Sequence, residues 1–144
     1  MKKIVCASAG VIGSAISGFL GGWDTAIDTL FLFMIIDYFS GVAVAGIWHK
    51  SPKTGTGSLS SVIGFKGIVK KIMMLIFVAI GHRLDILFTV DYFRLGICFA
   101  FMSNELISIV ENAGLMGLPI PEFVSKAIDL LKQKGSVGHG NERV

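Results

Sequence analysis

The sequence predicts an all-α integral membrane protein with about four transmembrane helices, or alternatively three, and a short amphipathic helix near the C-terminus. Three observations predict it. Of 144 residues, 53% are hydrophobic and only 16% are charged, whereas soluble domains carry about 25% charged residues. Four stretches approach the roughly 20 mostly apolar residues that a spanning helix requires. Five lysines gather between the second and third stretches with no acid among them. The length accommodates one compact domain. That domain is placed at 1–118, with spans at about 4–23, 25–48, 68–90 and 92–112. A cytoplasmic amphipathic helix is expected at 119–134 and a disordered tail at 135–144.

Span one, Ile4 to Trp23, contains no charge. It is built from small residues: Gly10, Ser14, Gly18 and Gly22 recur every four positions, with Gly13, Ser17 and Gly21 in a second row beside them. Small-xxx-small rows let helix backbones approach closely in lipid, where the hydrophobic drive for association is absent. They serve either packing within the chain or self-association between protomers. The basic Lys2-Lys3 start and apolar run also have the layout of a secretory signal, but Gly22-Trp23-Asp24 offers no small-x-small cleavage site, so retention as a helix is expected.

Span two, Thr25 to Trp48, is interrupted only by Asp28 and Asp37. Span three, IMMLIFVAIGHRLDILFTV, is the weakest, because His82, Arg83 and Asp85 follow its first ten apolar residues. A re-entrant or interfacial third segment gives the three-span alternative. Span four contains Arg94, Asn104 and Glu105, so its polar face must be covered by protein or water. A charge at the centre of a span costs about 2.5–3.5 kcal/mol on insertion scales. Counting depth at about 1.5 Å per residue brings Asp37 near His82 and Arg83, which predicts a pair between them. The candidates for an intramembrane polar seam or a pore lining are Asp37, His82, Arg83, Asn104, Glu105, Glu111 and Asn112.

Positive residues in short loops stay on the cytoplasmic side. Lys2 and Lys3 precede span one, and Lys50, Lys53, Lys66, Lys70 and Lys71 form a basic loop between spans two and three. Both termini are therefore expected in the cytoplasm of a bacterial cell, with the chain in its inner membrane. After Pro119 and Pro121, Glu122 suits a helix start, Lys132 and Lys134 its last turn, and Gly135 its stop. Val124, Ile128 and Leu131 share one face of that helix, which suits a membrane surface.

Catalytic and cofactor signatures are missing. Cys6 and Cys98 make no framework and fall at different depths, so a disulfide between them is not expected. His49, His82 and His139 show no zinc-ligand spacing. Gly55-Thr56-Gly57 is followed by Ser60 where a dinucleotide fingerprint needs glycine, and no Gly-Lys-Ser/Thr is present. No enzyme activity, cofactor or metal is expected. Lysines next to a membrane serve orientation and contact with anionic lipid, so no nucleic-acid partner is needed to explain the net charge of +3.

Four blocks carry a family resemblance: Ile36-Asp37-Tyr38 with Ser40-Gly41; Leu59-Ser60-Ser61 with Gly64-Phe65-Lys66-Gly67 and Lys70-Lys71; Asn104-Glu105 with Ser108-Ile109 and Glu111-Asn112; and Gly117-Leu118-Pro119-Ile120-Pro121. In this order and spacing, from about Leu32 to Pro121, the chain resembles the phage holins related to the clostridial toxin-secretion holin (phage holin family 4). The resemblance implies a bacterial inner-membrane protein that accumulates, forms homo-oligomers and opens a lesion. An endolysin, or in some relatives a toxin, then leaves the cell. It places Asp37, Lys66, Glu105, Glu111 and Asn112 among motif positions. The alternatives are a small four-helix proton-coupled transporter, whose key glutamate would lie in a first helix that carries no charge here, and a non-conducting membrane scaffold.

Overall fold

The structure, a computed structural model, describes residues 1–137. It is helical throughout: α1 (Lys2–Phe19), α2 (Thr25–Ala43) continued by a π-helical turn (Val44–Trp48), α3 (Ser61–Phe88), α4 (Phe93–Leu115) and α5 (Glu122–Val137). No strand occurs among the described residues.

α1 stops at Phe19, four residues before the expected end at Trp23. Gly21 and Gly22 take φ of 84° and 100°, in the left-handed region, and the Gly22 amide donates to the Ser17 carbonyl at 2.8 Å. This is a glycine helix stop. It removes Gly21 and Gly22 from the small-residue rows and makes them a turn. Asp24 then caps α2, accepting from the Ile27 amide at 3.0 Å.

α3 starts at Ser61, well before the expected 68. Lys66, Lys70 and Lys71, expected in a loop, are therefore helical, because the period that carries Met74 and Val78 runs back through them. The loop is only 49–60, closed by the Ser51 amide donating to the Gly57 carbonyl at 3.0 Å. α5 runs through Gly135 to Val137, past its expected stop. Glycine weakens a helix but ends it only where the chain turns left-handed. The rest of the tail expected to be disordered, with His139 and Arg143, lies outside the described residues.

The packed unit is α2, α3 and α4. α4 lies against both others, while α2 and α3 scarcely meet. Arg94, at the start of α4, reaches Asp24, at the start of α2, and farther along Glu105 and Asp37 share a partner. Thus α2 and α4 run parallel and α3 antiparallel. Their core is one small cluster that includes Ile27, Leu30, Met34, Met74, Val78, Cys98 and Met102. Many large apolar side chains point outward instead, Ile35, Phe39, Phe77, Leu87 and Phe99 among them. Only lipid or a partner would cover such a surface. α1 buries none of its residues.

By length and composition, two helices can cross a membrane: Thr25–Trp48 and Phe93–Leu115.

Candidate functional site

The buried residues of α2 are Ile27, Leu30, Met34 and Asp37, a 3-4-3 spacing that keeps one helical face toward α4. In α4 they are Cys98, Met102, Glu105 and Asn112. In α3, Lys71 stands three residues before the buried Met74, on the face that continues to Val78 and Asp85. The same period that builds the apolar core therefore carries one charged residue from each helix into the seam.

There the three meet. Lys71 Nζ donates to Asp37 Oδ2 at 2.8 Å and to Glu105 Oε2. Asn112 Nδ2 donates to Ser40 Oγ at 2.8 Å and lies 3.5 Å from Asp37 Oδ1. Asp37 is 8% exposed, Glu105 2% and Asn112 6%, yet no buried side-chain nitrogen or oxygen lacks a partner among the described residues. Two carboxylates on one ammonium leave the triad with a formal excess of one negative charge. Above it opens a cavity of about 560 Å³ between α2, α3, α4 and the 51–60 loop. Lys53, Lys66, Lys70, Asn104 and Glu111 also line it.

A second polar layer closes the opposite end of the core. Arg94 donates from Nε to the Leu20 carbonyl at 2.6 Å, from Nη2 to the Gly22 carbonyl at 3.0 Å and from Nη1 to Asp24 Oδ2 at 2.7 Å. One guanidinium fork therefore fastens the α1–α2 turn to α4. Its hydrogen bond holds the Asp24 carboxyl below the usual carboxylate range. Asp85 accepts from the Phe93 and Arg94 amides at 2.8 and 3.0 Å, so a side chain at the end of α3 caps the start of α4. From Asp24 to Asp37 the two layers are about 20 Å apart at 1.5 Å per residue.

The structure thus brings together Asp37, Glu105 and Asn112, and sets Asn104 and Glu111 on the adjoining cavity. The expected pairing of Asp37 with His82 or Arg83 is not formed. Arg83 is exposed, and the His82 ring lies under Gly21, so close that a β-carbon there would sit 2.5 Å from Nδ1. Depth is what fails: His82 and Arg83 stand eleven and twelve residues beyond Lys71, about 17 Å along α3 at 1.5 Å per residue, at the level of the other polar layer, where the His82 ring meets Gly21. Lys71 is the residue that charge patterning alone misassigned to the loop. Its signal was the 3-4 spacing to Met74 and Val78. Cys6 is exposed and Cys98 buried, both as free thiols. Among the described residues no group of histidines, cysteines and acids could hold a metal.

A family profile described as "Bacteriophage holin family" matches residues 14–133. An uncharacterized protein of Halalkalibacterium halodurans is 36% identical over 139 residues, covering 92% of this chain and 96% of its own. One from Listeria monocytogenes is 41% identical over 128 residues, 87% of this chain and 86% of its own. One from Clostridium perfringens is 36% identical over 138 residues, 93% and 96% respectively. No solved structure matches.

Proposed function

Because the chain belongs to the bacteriophage holin family, we propose that it is a phage-type holin of the bacterial inner membrane: it accumulates harmlessly, self-associates and then opens a lesion through which an endolysin or a toxin leaves. The observation that supports this most directly is α1. Its small residues stay uncovered within the chain, and a β-carbon added at Gly10, Gly13 or Gly18 would meet nothing within 4 Å. With Ser14 and Ser17 they form a close-approach surface whose natural occupant is α1 of another protomer. The glycine turn at Gly21 and Gly22 joins this helix to the rigid α2–α3–α4 unit.

In this reading α1 to α4 all cross the bilayer, with Lys50, Lys53 and both termini in the cytoplasm. Neutralising Lys71 between Asp37 and Glu105 lets α3 sit in hydrocarbon despite its lysines. The triad pins the register of the three helices in the single protomer.

Controlled expression in bacteria tests the function: the membrane potential should collapse abruptly after a delay. Drug resistance without collapse would instead indicate a transporter, and neither effect a scaffold. Gly10→Leu and Gly13→Leu should leave the protomer folded while reducing cross-linked oligomers and delaying collapse. Protection of a C-terminal protease site on the cytoplasmic side tests the topology, and Asp37→Asn, which weakens the triad, should alter lysis timing.

A further inference from the structure

We propose that the cavity between α2, α3 and α4, under the 51–60 loop, binds the headgroup of an anionic phospholipid. This rests on the membrane reading above. At about 560 Å³ it falls within the 300–1,000 Å³ typical of ligand sites. A bare phosphate, only a few times the roughly 30 Å³ share of a water, would leave most of it unfilled; a phosphate with its glycerol would not. Four lysines line it against three carboxylates. The charges are not evenly placed. Asp37 and Glu105 are both engaged by Lys71 on the floor. Lys53, Lys66 and Lys70 are exposed and make no salt bridge among the described residues. Lys66 and Lys70 stand one turn apart on α3, and Lys53 comes from the loop.

The walls suit the remainder of a lipid. Val42, Ile63 and Ile107 line the cavity beside the polar groups, and α2 and α3 scarcely meet along it, so acyl chains could leave sideways between them. Gly67 lines the same wall of α3 with open space where a side chain would stand. Lysines at this end put the site at the cytoplasmic leaflet, whose surface is negative.

The shared chemistry is a phosphate ester anion, and the test separates its sources. The purified full-length chain is titrated in neutral detergent with short-chain phosphatidylglycerol, short-chain phosphatidylcholine and inorganic phosphate, with bound lipid read by native mass spectrometry. Phosphatidylglycerol should bind at least about tenfold more tightly than phosphatidylcholine, and inorganic phosphate should not displace it. Replacing Lys53, Lys66 and Lys70 by Gln should weaken binding at least about tenfold, because each lysine near an anionic headgroup adds to the attraction. Replacing Lys2, Lys3 and Lys126 by Gln removes equal charge and should change it less than about twofold. Gly67→Leu keeps every lysine and puts a branched side chain into the space beside α3, and should weaken binding as the triple variant does; Gly67→Ala controls for folding and should retain it. Equal losses in the two lysine sets, unaltered binding in Gly67→Leu, or displacement by inorganic phosphate would each overturn the proposal. Binding is measured without lysis, so a chain that binds lipid but never collapses the potential refutes the holin reading alone.

Discussion

Removing Lys71 is the sharpest perturbation of this molecule. Its ammonium separates two carboxylates whose side chains are only 11% and 3% exposed. Because both accept from the same nitrogen, their oxygens stand within about 5.5 Å of each other, twice a charge-assisted N–H···O length, when Lys71→Met removes it. Two like charges at that distance repel by about 3 kcal/mol at an effective dielectric constant of 20. Breaking a buried ionic group by removing one partner typically costs about 3–5 kcal/mol, which agrees. The companion variant replaces all three at once, with Asp37→Asn, Lys71→Met and Glu105→Gln. It leaves no charge uncompensated and should lose less than about 1 kcal/mol, since buried ion groups replaced by neutral ones of similar volume are often no less stable. Unfolding titrations of both variants in mixed micelles measure the difference. A Lys71→Met loss below about 1 kcal/mol, or a triple variant as damaged as the single one, would refute the reasoning that the triad is an ion-paired structural pin.

Four further outcomes are expected. Arg94→Lys cannot reproduce a fork on three acceptors and should speed amide exchange across residues 20–24, with a stability loss of about 1–2 kcal/mol. Since Arg94 is the largest of the contacts that lower the Asp24 carboxyl from its ordinary value of 3.8, the N-cap amides of Ile27 and Ala26 adding to it, the stability from these contacts is complete above this value and fades as pH falls through the folded value; the wild-type chain should lose it in acid, and Arg94→Ala should show a smaller loss in a pH titration of unfolding. Gly21→Ala combines a left-handed φ with a contact of 2.5 Å to His82 and should cost about 1–3 kcal/mol, partly recovered in a His82→Ala background. At Gly81 a β-carbon would stand 2.7 Å from Ile97 Cδ1 and 3.0 Å from Arg94 Cα; Gly81→Ala should push α3 off α4 and lower stability by about 1–3 kcal/mol, while Gly96→Ala, with open space, should not.

Legibility followed the range of the information. Helix α4 was placed to within a few residues at either end, because a run of apolar side chains is a one-dimensional signal. The start of α3 was misjudged by seven residues because Lys66, Lys70 and Lys71 look like loop residues when only their charge is read. Their helical character comes from which face they occupy, and that depends on neighbours far away in the chain. Glu105 stood out as a charge within apolar surroundings, and Asn112 as a motif position of the family resemblance. What they touch was not legible, since a partner such as Ser40 is 72 residues distant.

By itself the sequence determined an oily helical chain, the order of its helices, its lysine asymmetry, and the presence of charges that hydrocarbon would not tolerate alone. These follow from composition and period, which need no knowledge of azimuth. Only the tertiary structure decided that Lys71 rather than Arg83 or His82 answers Asp37, that Arg94 clamps the glycine turn, and that α1 remains uncovered. The physical reason is that counting along the chain fixes neither where a helix truly begins and ends, as the early start of α3 at Ser61 shows, nor the direction in which its residues point, so it cannot say which charges share a level and a face. Direction is settled when α4 packs between α2 and α3 and each buried charge must find the one partner within reach.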